Sequence, residues 1–270
     1  VNSVDETIAG TNFSTNFTFD SYGRVNTRTH PSGIVETWEY NGNGFLATIS
    51  AGGSTRYTVT SMNAREQLTG ATYGSNLAAT FGVDSYGYPN ISSAGSIQDY
   101  RYAFNPVTGN LNSRQNFKRS LYESFSYTDN QDNLDRLTSL AGPRNLAMTY
   151  AANGNILTKS DISSSSAFTY GESTRPYALT GVTSSAGVIP DINQTATYTA
   201  SEKVNTLNED TCFASFVYNS QNQRAKMEVS QNGANILTRW YAGSSYMKET
   251  AGGITKEFTY IGGDAYTAPV

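Results

Sequence analysis

The chain has 270 residues, enough for one large domain or two ordinary ones. Eighteen basic side chains against 22 acidic ones leave a net charge of −4, which excludes a strongly basic nucleic-acid footprint and a polybasic membrane patch. Only 37% of residues are hydrophobic and 15% charged, while Tyr (19) and Gly (24) are abundant, so the chain is neither a greasy compact core nor a charged disordered tail.

From the N-terminus, Val1-Asn2-Ser3-Val4-Asp5-Glu6 has no initiator Met, basic n-region or apolar h-region, which reads as a mature or excised fragment. Phe17-Thr18-Phe19 is the first alternating aromatic strand, with both rings on one face. Asp20-Ser21-Tyr22-Gly23 then supplies turn residues that tolerate positive φ, and Arg24-Val25 opens the next strand. The pattern returns as Trp38-Glu39-Tyr40-Asn41-Gly42-Asn43-Gly44-Phe45-Leu46 and as Tyr102-Ala103-Phe104-Asn105-Pro106-Val107-Thr108-Gly109-Asn110-Leu111. It recurs from Met148 through Tyr150 to Ile156, and from Phe216 through Tyr218 to Arg224. Weaker copies surround Val59, Val83, Tyr127, Tyr170, Tyr198, Tyr241 and Tyr260. The anchors recur about every 22 residues, room for two strands and two turns, and give about eleven degenerate hairpin units. Residues 70–82, 92–96, 163–166 and 183–192 read as loops, and no segment carries a helical apolar stripe. The predicted fold is all-β, one continuous array of antiparallel hairpins over residues 1–270.

The Tyr-(Asp/Asn)-x-x-Gly-(Asn/Arg)-(Leu/Ile) signature at this spacing resembles the YD repeat of bacterial Rhs proteins, which is similar to sequences in wall-associated proteins, Tc-toxin C components and teneurins. Asn133-Leu134-Asp135-Arg136-Leu137-Thr138, Gln223-Arg224-Ala225-Lys226-Met227 and the closing stretch from Phe258 to Val270 resemble Rhs-core text most closely. The resemblance implies a long, spiralling strip of sheet that forms a shell enclosing or presenting a C-terminal toxin or effector domain of the same polypeptide. It also implies secretion or surface exposure. The alternative built from the same repeats is an adhesin that binds glycan or protein at a cell surface. Departures from the signature are Asn or Thr in place of Asp, and Glu66 and Glu202 where the turn Gly belongs. Open strand edges at both ends of the array predict edge pairing or self-association.

The sequence offers little for chemistry. His30, the only histidine, reads as a turn residue before Pro31, and Cys212, the only cysteine, reads as a buried small residue. The acidic run Asp129, Asp132, Asp135 lacks the Gly and distal Glu of an EF-hand loop. Glu36/Glu39 and Glu209/Asp210 have the residue types of a glycosidase pair, without a spacing that distinguishes them from surface acids. Arg101/Tyr102 and Arg239/Trp240/Tyr241 read as strand decoration. There is no phosphate loop, nucleophile elbow or His-Glu-x-x-His. The expected catalytic, cofactor and metal sets are therefore empty, with no nucleic-acid partner and no membrane span.

Overall fold

The structure, a computed structural model, describes residues 1–128, 134–163, 167–171, 175–183 and 194–262. Its hairpins are explained by two kinds of turn. In the first, Asp20 Oδ1 accepts the backbone N–H groups of Tyr22 (2.8 Å) and Arg24 (2.9 Å), while Gly23 N–H donates to the Asp20 carbonyl. Asn41, Asn63, Asp84 and Asn219 hold their turns in the same way. One side-chain oxygen suffices, which is why Asn replaces Asp freely. The fourth turn residue takes positive φ, which glycine adopts without strain: Gly23 (78°), Gly44 (88°) and Gly154 (91°) do so, and so do Glu66 (63°) and Glu202 (59°). The second kind is a two-residue turn with both φ values positive, as twisted hairpins favour. Ala9-Gly10, Gly52-Gly53, Asn232-Gly233 and Gly252-Gly253 are of this type.

The backbone clusters into two compact units, Val1–Val59 with Ile192–Val270, and Thr60–Asp191. The first unit opens with β1 (Ser3–Ile8), β2 (Thr11–Phe19), β3 (Val25–Thr29), β4 (Val35–Tyr40), β5 (Leu46–Ala51) and β6 (Ser54–Met62), the last of which runs into the second unit. The second unit holds β7 (Leu68–Tyr73), β8 (Leu77–Val83), β9 (Pro89–Ala94), β10 (Gln98–Phe104), β11 (Leu111–Asn116), β12 (Leu121–Tyr127), β13 (Leu137–Ala141), β14 (Leu146–Tyr150), β15 (Ile156–Lys159), β16 (Phe168–Tyr170) and β17 (Leu179–Val182). The first unit resumes with β18 (Gln194–Tyr198), β19 (Val204–Glu209), β20 (Cys212–Tyr218), β21 (Arg224–Gln231), β22 (Ala234–Ala242), β23 (Tyr246–Ala251) and β24 (Ile254–Thr259). Within each sheet every strand pairs with its neighbours in sequence, without crossover. A bulge recurs at the anchor residue that precedes the turn, as at Phe19, Tyr40, Phe104, Tyr127, Tyr150, Tyr198 and Tyr218.

Successive repeats are latched by the anchor tyrosine. Tyr40 Oη donates to the Val25 carbonyl (2.9 Å), Tyr150 to Leu137 (2.7 Å) and Tyr218 to Val204 (2.7 Å). In each case the acceptor is the first residue of the strand after the preceding turn, so one side chain ties two repeats. The opposite face carries exposed hydroxyl pairs such as Thr18–Thr27 and Thr149–Thr158. In the first unit the first two strands pack on the last ones: Ile8 and Phe13 bury against Ala225, Ala242 and Tyr246, with the Phe13 and Tyr246 rings 5.7 Å apart.

Two expected loops are corrected. Most of residues 70–82 forms the paired strands β7 and β8, and β9 covers Ser92 to Ala94. The small residues misled because they serve a close approach: Ala71 and Ala79 face each other at 1% and 5% exposure. A Cβ on Gly70 would stand 2.6 Å from the Ser61 hydroxyl. The anchor placed at Val59 also moves, since β6 continues to Met62 and the turn forms on Asn63. The expected loops at 163–166 and 183–192 lie mostly outside the described residues.

Candidate functional site

The most concentrated chemistry in the first unit grows from the turn between β3 and β4. His30-Pro31-Ser32-Gly33-Ile34 repeats the five-residue turn: His30 N–H donates to the Ile34 carbonyl, Gly33 N–H to His30, and Gly33 has φ 81°. His30 stands where other turns carry Asp or Asn, but its ring points inward. Across the strand pair Arg28 faces Glu36. Glu36 Oε2 accepts from His30 Nε2 (3.0 Å), Arg28 Nε (2.9 Å) and Arg28 Nη2 (2.7 Å). Its other oxygen, Oε1, accepts the backbone N–H of Gly262 at 2.9 Å. The Glu36 and His30 side chains are fully buried and Arg28 nearly so, its guanidinium lying 5.6 Å from the Trp38 ring centroid.

Burial alone would raise the Glu36 carboxyl pKa. The His30 hydrogen bond, the Arg28 charge and the Gly262 N–H outweigh it and hold the group below the ordinary glutamate range. Gly262 is fitted to its place twice over: its φ is 67°, and a Cβ there would meet Ile49 Cδ1 at 2.9 Å. Ser32 Oγ and Thr259 Oγ1 add a second tie, 2.9 Å apart. A general base or nucleophile needs an accessible lone pair. Glu36 has both oxygens occupied and no exposure, so the arrangement is a brace that fixes the end of β24 onto β3 and β4.

The other sequence candidates do not converge. Glu39 is exposed and accepts from Thr48 Oγ1 at 2.7 Å, three strand positions from Glu36 and therefore on the other face. Glu209 and Asp210 end a strand and enter a two-residue turn. Cys212 is partly exposed rather than buried, a correction that follows from its place opposite Gln231 at the start of β20. Asp129 and Asp132 lie outside the described residues, and Asp135 accepts from Asn110 Nδ2. Arg101 pairs with Asp99, and Arg239 with Glu249, so these arginines are engaged within the sheet. Among the described residues no three His, Cys, Asp or Glu side chains group as metal ligands. Among the described residues no helix is long and apolar enough to cross a membrane. Sequence reasoning missed Arg28 and Gly262; the available signal was a His at the Asp position of a turn, six residues before a strand glutamate.

No protein-family model matches this sequence, and no curated protein does. Among solved structures the chain is similar to TcdB2-TccC3-Cdc42, with a TM-score of 0.65 at 15% identity over 92% of this chain and 15% of that one. It is also similar to TcdB2-TccC3 without its hypervariable C-terminal region, with a TM-score of 0.67 at 16% identity over 93% and 15%. A third is the Photorhabdus luminescens Tc holotoxin pore bearing a TccC3 mutation, with a TM-score of 0.56 at 14% identity over 90% and 16%. The chain thus spans less than a fifth of the length of these structures. What is shared at these identities is the fold: this chain is an all-β array of antiparallel hairpins, and that is the fold it has in common with the TcdB2-TccC3 structures.

Proposed function

We propose that the chain is a non-catalytic structural segment of a secreted or surface-exposed Rhs-type shell, which encloses or presents a C-terminal effector of the same polypeptide. The carrying observation is the in-order pairing of hairpins, several of which are tied to the last by an anchor tyrosine. Such an array extends by adding units and needs no central site. The likeness to the TcdB2-TccC3 structures supports the reading. The test uses the full gene product. Any polypeptide following Val270 is expected to resist protease in the intact protein and to become cleavable when the repeats are unfolded. Equal cleavage in both states refutes enclosure.

A second reading, an adhesin, is favoured by Tyr22 and Tyr86. Both occupy the third position of equivalent turns and stand 81% and 67% exposed. Loss of cell or glycan binding on Tyr22→Ala/Tyr86→Ala, with effector protection unchanged, selects it.

A further inference from the structure

In the bulged pair that closes each turn, the residue opposite the anchor is aliphatic or Pro, from Phe19–Val25 through Tyr198–Val204. The pair Tyr218–Arg224 departs from this rule and places a guanidinium at the aliphatic position. The Arg224 guanidinium carbon lies 5.0 Å from the Phe216 ring centroid and 5.9 Å from that of Tyr241. Its Nε is buried without a hydrogen-bond partner. The contrast with Arg24 is instructive: there the Nε and Nη2 atoms both reach Asp20 Oδ2 at 2.7 Å. Beside Arg224 the turn carries Asn219, whose amide nitrogen is turned to Gln223 Oε1. Arg224 is half-buried, and a guanidinium with a desolvated, unpaired Nε is costly, while its fork is shaped for a carboxylate.

The same arginine lines a cavity of about 390 Å³ within the first unit, together with Glu202, Lys203, Tyr218, Gln223 and Tyr241. Glu202 and Lys203 are exposed and of opposite sign, so the uncompensated charge facing the cavity is that of Arg224. The volume lies in the range of small-ligand sites. Besides the arginine, the wall offers the Gln223 and Asn222 amides and the Ser244 hydroxyl, which suit a ligand rich in hydroxyl groups. We propose that this cavity binds a sugar acid, with Arg224 holding the carboxylate and the amides holding the ring hydroxyls. The site is independent of the shell reading and goes beyond it.

Restoring the aliphatic rule supplies the test. Sodium glucuronate is titrated into the full chain by calorimetry at constant ionic strength, with glucose and N-acetylaspartate as comparators. Glucuronate is expected to bind saturably and both comparators at least tenfold more weakly. Arg224→Leu is expected to weaken glucuronate at least tenfold without lowering the thermal midpoint, since leucine fits the register. Arg224→Lys, which keeps the charge and loses the fork, is expected to fall between, and it serves if the leucine variant folds poorly. No saturable glucuronate binding, or binding unchanged in both variants, overturns the site. N-acetylaspartate binding as tightly as glucuronate overturns the sugar-acid assignment.

Discussion

Glu36→Gln tests the brace with one atom's change. The glutamine side chain has one acceptor oxygen and a donor NH₂, whereas Glu36 accepts on both oxygens. Whichever way the amide turns, either the Gly262 N–H or the Arg28/His30 pair faces a donor, and Arg28 loses its counter-charge. Breaking a buried ion pair from one side costs about 3–5 kcal/mol. Arg28 keeps 16% exposure and the Trp38 face, which puts this case near the lower end, at about 3 kcal/mol. Urea unfolding at neutral pH measures the loss as a lower midpoint with little change in slope. The pH profile gives an independent check. The folded-state pKa of Glu36 lies below the ordinary glutamate value of 4.5, so its contribution is complete above that pH and is lost as pH falls through the depressed value. The acid limb of the stability profile is expected to flatten in the variant. A loss under about 1 kcal/mol, the ordinary worth of one hydrogen bond, or an unchanged acid limb refutes the brace.

Glu66→Gly and Glu202→Gly relieve left-handed φ values of 63° and 59°. Each is expected to stabilise by about 0.5–1 kcal/mol, the strain relieved less the entropy glycine adds to the unfolded chain, as read by denaturant midpoint. A midpoint that falls contradicts the turn assignment. Tyr150→Phe removes the 2.7 Å hydrogen bond to the Leu137 carbonyl while keeping the ring beneath Arg136, and is expected to cost about 1 kcal/mol. A neutral result would mean that the latch is packing alone. Among the described residues the outer strands β1 and β24 each pair with one strand, so sedimentation velocity across concentrations is expected to reveal association through their other edges. A strictly monomeric profile counts against it.

Much of the fold was legible because the repeat writes its hydrogen bonds into the sequence. An Asp or Asn whose oxygen reaches two N–H groups, a residue at positive φ three places later, and a tyrosine that spans to the previous strand must recur at fixed spacing. The misplaced pieces are those where size rather than polarity decides. Gly70, Ala71 and Ala79 look like a loop by composition, yet they are strand residues chosen for a gap that no larger side chain enters. Val59 misled for another reason: it alternates like an anchor, but only the Asn63 side chain marks where the strand stops.

The candidate sites were less legible because each is a substitution inside an otherwise regular register. His30 takes the turn position of Asp20 but turns its ring onto Glu36, and what makes that contact a brace is Gly262, 226 residues away in sequence. Local pattern carries no trace of such a contact. Arg224 takes the register of Val25 and Val204, and it becomes conspicuous only once the bulged pairing fixes which residue stands opposite Tyr218. A repeat array makes such departures readable: every regular unit states what the fold requires at a position. His30 and Glu36 break the rule and are accounted for by the brace they make to Gly262, whereas Arg224 breaks it with no anion or hydrogen bond at its Nε, which marks it as the position where a requirement beyond packing has acted.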